Sequence, residues 1–86
     1  MKKFSYTITD AIGIHARPAG NLAKLAKSFA GTKIMIEKGG KSVDVTKLMM
    51  LMGLGVKCGD TVEFTAEGPD EEAAAAAVEE FMKANL

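Results

Sequence analysis

The only histidine of the 86-residue chain, His15, lies in the stretch GIHARPAG at residues 13–20. Pro18 is tolerated in the first turn of a helix, because the N–H that proline lacks has no intrahelical partner there. We therefore expect a helix to begin here, with His15 at or just before its N-cap. The free backbone N–H groups of the first turn, which we assign to Ala16 and Arg17, would then face the imidazole.

This environment favours a neutral imidazole, because the positive end of a helix disfavours the imidazolium form. An anion attached to the ring would be stabilised by the same N–H groups and by the guanidinium of Arg17. Such a ring can carry a phosphoryl group. The chain has no glycine-rich loop followed by Lys-Ser or Lys-Thr, so the phosphoryl group would have to come from another protein. The alternative, that His15 only caps a helix, stays open at this point.

The surrounding elements follow from hydrophobic periodicity. Alternation of apolar and polar residues predicts four strands, in residues 2–9, 33–37, 42–45 and 61–66. Helical spacing predicts helices over residues 16–29 and 47–53 and a last helix that begins at Pro69. The order is βαββαβα. Each strand has one apolar face, which favours an antiparallel or mixed sheet that the helices cover on one side.

Charge and apolar side chains indicate two surfaces for partners. Residues 1–57 include ten basic and three acidic residues, whereas residues 58–86 include one basic and eight acidic residues. Arg17, Lys24 and Lys27 share one helix face, as a docking surface for an acidic partner would. The short helix has five consecutive apolar residues, Leu48 to Met52. Leu51 and Leu54 are expected in the core, which leaves Met49, with Leu48 or Met52, exposed for binding.

Composition excludes several classes of protein. The length predicts one domain over residues 1–86. No apolar run is long enough for a membrane span or a signal peptide, and the lone Cys58, which we interpret as incidental, is compatible with a reducing cytoplasm. There is no Cys/His cluster or carboxylate loop for a metal, and we expect no cofactor. A nucleic-acid-binding module is disfavoured, because the few aromatic residues occupy apolar positions.

The stretches GIHARPA, KSVDV and LMMLMGLG resemble the HPr family, the histidine phosphocarriers of the bacterial phosphoenolpyruvate–sugar phosphotransferase system. The resemblance covers essentially the whole chain, in length and in element order. It implies an α+β fold, an open-faced β-sandwich with a four-stranded antiparallel sheet and three helices on one side. It also implies that the protein is a carrier and not a turnover enzyme.

The resemblance assigns roles to individual residues. It implies that His15 takes a phosphoryl group on Nδ1 from phosphorylated enzyme I and passes it to the IIA components of sugar transporters, with Arg17 as the active-site arginine. The partner surface of the family corresponds here to Ala16, Gly20, Asn21, Lys24, Lys27, Leu48, Met49 and Met52. A monomer is the expected state, because the carrier must expose its site to donor and acceptor in turn.

The sequence departs from the family at the start of the short helix. Many relatives have a serine there that an ATP-dependent kinase phosphorylates, whereas this chain has Lys47 at the aligned position. Compared with those relatives, this chain has one extra residue between His15 and the stretch LMMLMGLG. Thr46 could therefore occupy the position of the serine instead. We interpret Thr46 as a plain N-cap. Control by a regulatory kinase therefore stays open, as does a regulatory relative of the carrier that binds a transcription factor.

Overall fold

The computed structural model describes residues 1–14 and 16–86. The elements in them are β1 (Lys2–Thr7), α1 (Ala16–Lys27), β2 (Lys33–Lys38), β3 (Lys41–Asp44), α2 (Leu48–Gly53), β4 (Thr61–Glu67) and α3 (Glu71–Asn85). This confirms the predicted order βαββαβα. In the part of the chain that is described, no helix is long and apolar enough to cross a membrane.

The strands in the described residues form a four-stranded antiparallel sheet in the order β1-β4-β2-β3. One row across the sheet joins Phe4, Phe64, Ile36 and Val43 in register. The last three are buried, and the rings of Phe4 and Phe64 stack with their centroids 5.0 Å apart. Because side chains alternate between the two faces of a strand, this row marks the core side, and the other side is open. The fold is the predicted open-faced β-sandwich.

The helices cover the core side with their apolar faces. In α1 the buried residues follow helical spacing and are Pro18, Ala19, Leu22, Ala23 and Ala26. In α3, Ala74, Val78 and Met82 lie four residues apart and are fully buried. The run of alanines from Ala73 to Ala77 therefore belongs to a closely packed helix, as its sequence context predicts. Burial of a side chain such as Val78 or Met82 contributes about 1.5–3 kcal/mol.

The last helix begins two residues later than predicted. Asp70 is its N-cap, with φ of −109° and ψ of 26°, so Pro69 lies in the preceding turn. The backbone N–H of Asp70 donates to Oγ1 of the buried Thr32, 3.1 Å away, and Glu71 Oε1 accepts from the N–H of Gly68. These contacts hold the turn in a non-helical conformation, which the proline signal alone does not reveal.

The interpretation of Thr46 as the N-cap of α2 is wrong. The N-cap is Lys47, and no side chain caps the helix. The hydroxyl of Thr46 donates to Asp44 Oδ1 at 2.7 Å, and its N–H donates to the same oxygen at 2.8 Å. Because this local turn uses both groups, the chain enters the helix one residue further on.

The first strand ends at Thr7 rather than at Thr9. The backbone N–H groups of Thr9 and Asp10 both donate to the carbonyl oxygen of Leu86, at 2.6 and 2.9 Å. The hydroxyl of Thr9 also donates to that oxygen, at 2.9 Å. The residues after β1 therefore bind the end of α3 instead of continuing the ladder with β4.

Candidate functional site

The first turn of α1 is the structural centre of the candidate site. The helix begins at Ala16, the residue that follows His15 in the sequence. Ala16 and Arg17 are exposed, and Pro18 is buried in the first turn. The first N–H groups of a helix have no intrahelical acceptor and carry the positive end of its dipole. His15 itself lies outside the described residues, so the position and protonation of its ring stay predictions.

The loop that leads to this turn, residues 8–14, is held at both ends by the segment 55–60. At one end, Ile8 donates its N–H to the Asp60 carbonyl at 2.9 Å and accepts from the N–H of Gly59 at 2.8 Å. At the other end, the Ile14 N–H donates to the carbonyl oxygen of Val56 at 3.0 Å. The side chain of Ile14 is buried. The backbone is thus fixed as far as the residue before His15.

Gly13 is necessary for this attachment. Its φ is +84°, and a β-carbon at this position would lie 2.4 Å from the Val56 oxygen and 2.6 Å from the Cα of Lys57. Any other residue would both adopt an unfavourable backbone conformation and collide with backbone atoms. Gly13 thus permits the close approach of the 55–60 segment to the start of α1.

Arg17 lies beside a shallow open depression of about 340 Å³, which is lined by Arg17, Pro18, Asn21 and Asn85. No carboxylate of the described residues forms an ion pair with Arg17. The guanidinium is therefore available to an anion at the start of α1. Asn85 could not be found from the sequence, because only the packing of α3 against α1 brings it beside Arg17.

The exposed face of α1 is basic, as predicted. Lys24 and Lys27 are exposed in the last turn, and Asn21 is exposed between them and Arg17. Gly20 is partly exposed. These residues extend along one side of the helix away from its N-terminus, while the apolar face packs on the sheet.

The second surface is the exposed part of α2. Leu51 and Leu54 are buried, as predicted, and the apolar residues on the outside of α2 are Leu48, Met49, Met50 and Met52. Met49 is 81% exposed. Because α2 packs against α1, the apolar surface adjoins the basic one. Two exposed apolar residues, Met50 and Ile12, were not predicted from the sequence, and Ile12 is 67% exposed. Ile12 follows no periodic pattern that could have revealed it.

The remaining candidates are less connected to the site. Lys47 is exposed at the start of α2, and the hydroxyl of Thr46 is hydrogen-bonded to Asp44, so a regulatory role for either one stays a prediction. Cys58 is exposed, with its Sγ 3.8 Å from the carbonyl oxygen of Thr9. The described residues contain no group of three or more side chains that could hold a metal ion.

Comparison with known proteins gives consistent matches. A family model described as the PTS HPr component phosphorylation site matches residues 2–84. The chain is 38% identical over 85 residues to the phosphocarrier protein HPr of Mycoplasma genitalium, a match that covers 99% of this chain and 97% of that protein.

Solved structures are similar as well. The crystal structure of HPr-C-His from Thermoanaerobacter tengcongensis superposes with a TM-score of 0.92 at 37% identity, covering 98% of this chain and 93% of that one. A crystal structure described as an HPr dimer from the same organism gives a TM-score of 0.77 at 37% identity, covering 98% of this chain and 95% of that one.

Proposed function

Because the chain belongs to the HPr family, the phosphocarriers of the phosphotransferase system, we propose that it carries a phosphoryl group on His15. The group comes from phosphorylated enzyme I and goes on to the IIA components of sugar transporters. In the first step, the bond that holds the phosphoryl group on the donor breaks and a phosphorus–nitrogen bond forms to Nδ1 of His15. In the second step the same exchange takes place with the IIA acceptor. The protein is a carrier, since it ends each cycle unchanged.

The observation that carries the proposal is the exposed Arg17 in the first turn of a helix that begins one residue after His15. Phosphoryl groups bear negative charge, which the N-terminal end of a helix and a guanidinium both stabilise. Arg17 has no carboxylate partner in the described residues, so it does not have to break an ion pair before it binds the phosphoryl group. The backbone N–H groups of Ala16 and Arg17 complete the proposed binding site.

The two exposed surfaces serve as the proposed docking site for both partners. The basic face with Lys24 and Lys27 attracts acidic surfaces and speeds encounter. The flexible side chains of Met49 and Met52 adapt to partners of different shape. Because donor and acceptor use the same site in turn, we propose that the protein works as a cytoplasmic monomer. We also propose that residues 1–86 form one HPr-like domain.

Transfer of labelled phosphate tests the proposal. The protein is incubated with labelled phosphoenolpyruvate and enzyme I, and then with a IIA protein. We expect an acid-labile label that passes to IIA, and none in His15→Ala. Removal of one donor that stabilises transition-state charge lowers the rate by roughly 100- to 1,000-fold, so Arg17→Ala should be labelled slowly. Lys33→Ala, at the exposed start of strand β2, is the matched control and should keep the normal rate. Full labelling of His15→Ala would overturn the proposal.

A further inference from the structure

The segment 55–60 that holds the loop before His15 is itself held by one lysine. Lys38 lies at the end of β2, and its Nζ donates to the carbonyl oxygen of Gly55 at 2.9 Å. The same Nζ lies 2.9 Å from Asp60 Oδ2. That carboxylate oxygen also accepts from the backbone N–H of Lys57, at 2.9 Å. A single ammonium group therefore connects both ends of the segment.

The charge pair is partly shielded from water. The side chains of Lys38 and Asp60 are 30% and 33% exposed. The hydrogen bond from Lys38 and the N–H of Lys57 together lower the pKa of Asp60 below its ordinary value of 3.8. The carboxylate is thus charged at neutral pH and can hold its two donors.

Lys38 attaches the 55–60 segment to the sheet. Strand β2 lies inside the sheet, with β4 on one side and β3 on the other. From this strand, contacts run through Lys38 to the 55–60 segment, and from Val56 and Asp60 to both ends of the loop 8–14. The loop ends immediately before His15. A shift of the segment would therefore move the backbone that presents the imidazole.

We propose that Lys38 is a positioning residue for phosphoryl transfer at His15. It touches neither the phosphoryl group nor a partner. It fixes the 55–60 segment to the sheet, and through this segment it fixes the direction in which the chain enters α1. The proposal rests on the proposed function, because the reaction that it assists is transfer to His15. Reactions of this kind are sensitive to small displacements of the attacking atom.

The test compares the initial rates at which enzyme I phosphorylates four variants. Lys38→Met keeps most of the side-chain length but loses the ammonium, and Lys38→Arg restores a donor. Asp60→Asn weakens the pair from the other side. Lys41→Met, an exposed lysine on strand β3, is the matched control. We expect Lys38→Met to lower kcat roughly three- to fivefold with KM unchanged, as suits the loss of one partly exposed ion pair.

The other variants test whether the loss of kcat in Lys38→Met comes from the contacts between Lys38 and the 55–60 segment. Lys38→Arg should recover most of the rate. Asp60→Asn should slow the reaction by no more than Lys38→Met does, because both changes weaken the same ion pair. A kcat equal to that of Lys41→Met, or a rise in KM alone, would overturn the proposal.

Amide hydrogen exchange gives a readout that does not depend on the reaction. In Lys38→Met, the amides of Ile8, Ile14 and Gly59 should exchange faster, whereas the amide of Phe64 within the sheet should not change. Unchanged exchange at Ile14 would overturn the positioning role even if transfer is slow. Failure of the unaltered protein to accept any label would instead overturn the proposed function, so the two failures are distinguishable.

Discussion

Replacement of Gly13 by alanine tests how closely the 55–60 segment packs against the loop that precedes α1. At this glycine φ is +84°, and an added β-carbon would lie 2.4 Å from the oxygen of Val56. The same carbon would lie 2.6 Å from Cα of Lys57. All the atoms in its way belong to the backbone of the 55–60 segment, which cannot move aside as a flexible side chain can. We expect Gly13→Ala to destabilise the protein strongly.

The cost has two parts. An L-residue at positive φ loses roughly 1–2 kcal/mol relative to glycine. Forcing an extra carbon into a closely packed place costs about 1–3 kcal/mol more. The sum, about 2–5 kcal/mol, is a large share of the 5–15 kcal/mol that typically stabilises a small domain. A domain of this size loses about 4–8 °C in Tm for each kcal/mol, so Tm should fall by at least about 8 °C.

Two other glycines serve as matched controls. Gly40 has the same φ of +84°, but no atom lies within 4 Å of an added β-carbon. Gly40→Ala should therefore lose only the conformational part, about 1–2 kcal/mol. Gly20 lies within α1 and also has open space around it, so Gly20→Ala should raise the stability by about 0.5–1 kcal/mol.

Urea unfolding of the three variants, followed by circular dichroism, gives the free energies of unfolding. The difference between Gly13→Ala and Gly40→Ala isolates the collision with the Val56 and Lys57 backbone. If the free energies of unfolding of these two variants differ by less than about 0.5 kcal/mol, the difference lies within the error of the extrapolation to water. The argument that the 55–60 segment closely contacts Gly13 would then be refuted.

Two further predictions concern charges. Glu37 and Glu63 lie directly opposite each other on β2 and β4, so Glu63→Gln should stabilise the protein by about 0.2–1 kcal/mol in urea unfolding at low salt. Glu67 lies opposite Lys33, so Glu67→Gln should lower the free energy of unfolding. If both variants changed that free energy in the same direction, the register of β2 and β4 would be contradicted. Asp60 has a lowered pKa in the folded protein, chiefly through its hydrogen bond from Lys38, so it stabilises the fold above its ordinary pKa and stops doing so as the pH falls through the lowered value. Asp60→Asn should thus be less stable than the unaltered protein at neutral pH, and the difference should shrink as the pH falls below 3.8, the ordinary pKa of the group. A difference that is as large in acid as at neutral pH would contradict this.

The strands and helices could be predicted because their signals are local. The alternation of Val62, Phe64 and Ala66 with polar residues is a property of one segment, and so is the spacing of Val78 and Met82 on α3. The exact start of α2 could not be predicted, because the side chain of Asp44 competes for the N–H and hydroxyl of Thr46.

The candidate site could be predicted only in part. His15, Arg17 and the basic face of α1 are close in sequence, so a motif and a helical period are enough to group them. Asn85 reaches Arg17 only through the packing of α3 on α1, and Lys38 reaches the loop 8–14 only through the 55–60 segment. Contacts between distant segments depend on the order of strands in the sheet, which residue periodicity does not encode.

The central claim is that His15 carries the phosphoryl group. Phosphorus NMR of the protein after incubation with phosphoenolpyruvate and a catalytic amount of enzyme I tests it most directly. We expect one new phosphorus signal per chain, with coupling to the imidazole protons, that disappears in acid and is absent from His15→Ala. An acid-stable signal, such as a phosphate ester on Thr46, or a signal that persists in His15→Ala would contradict the claim.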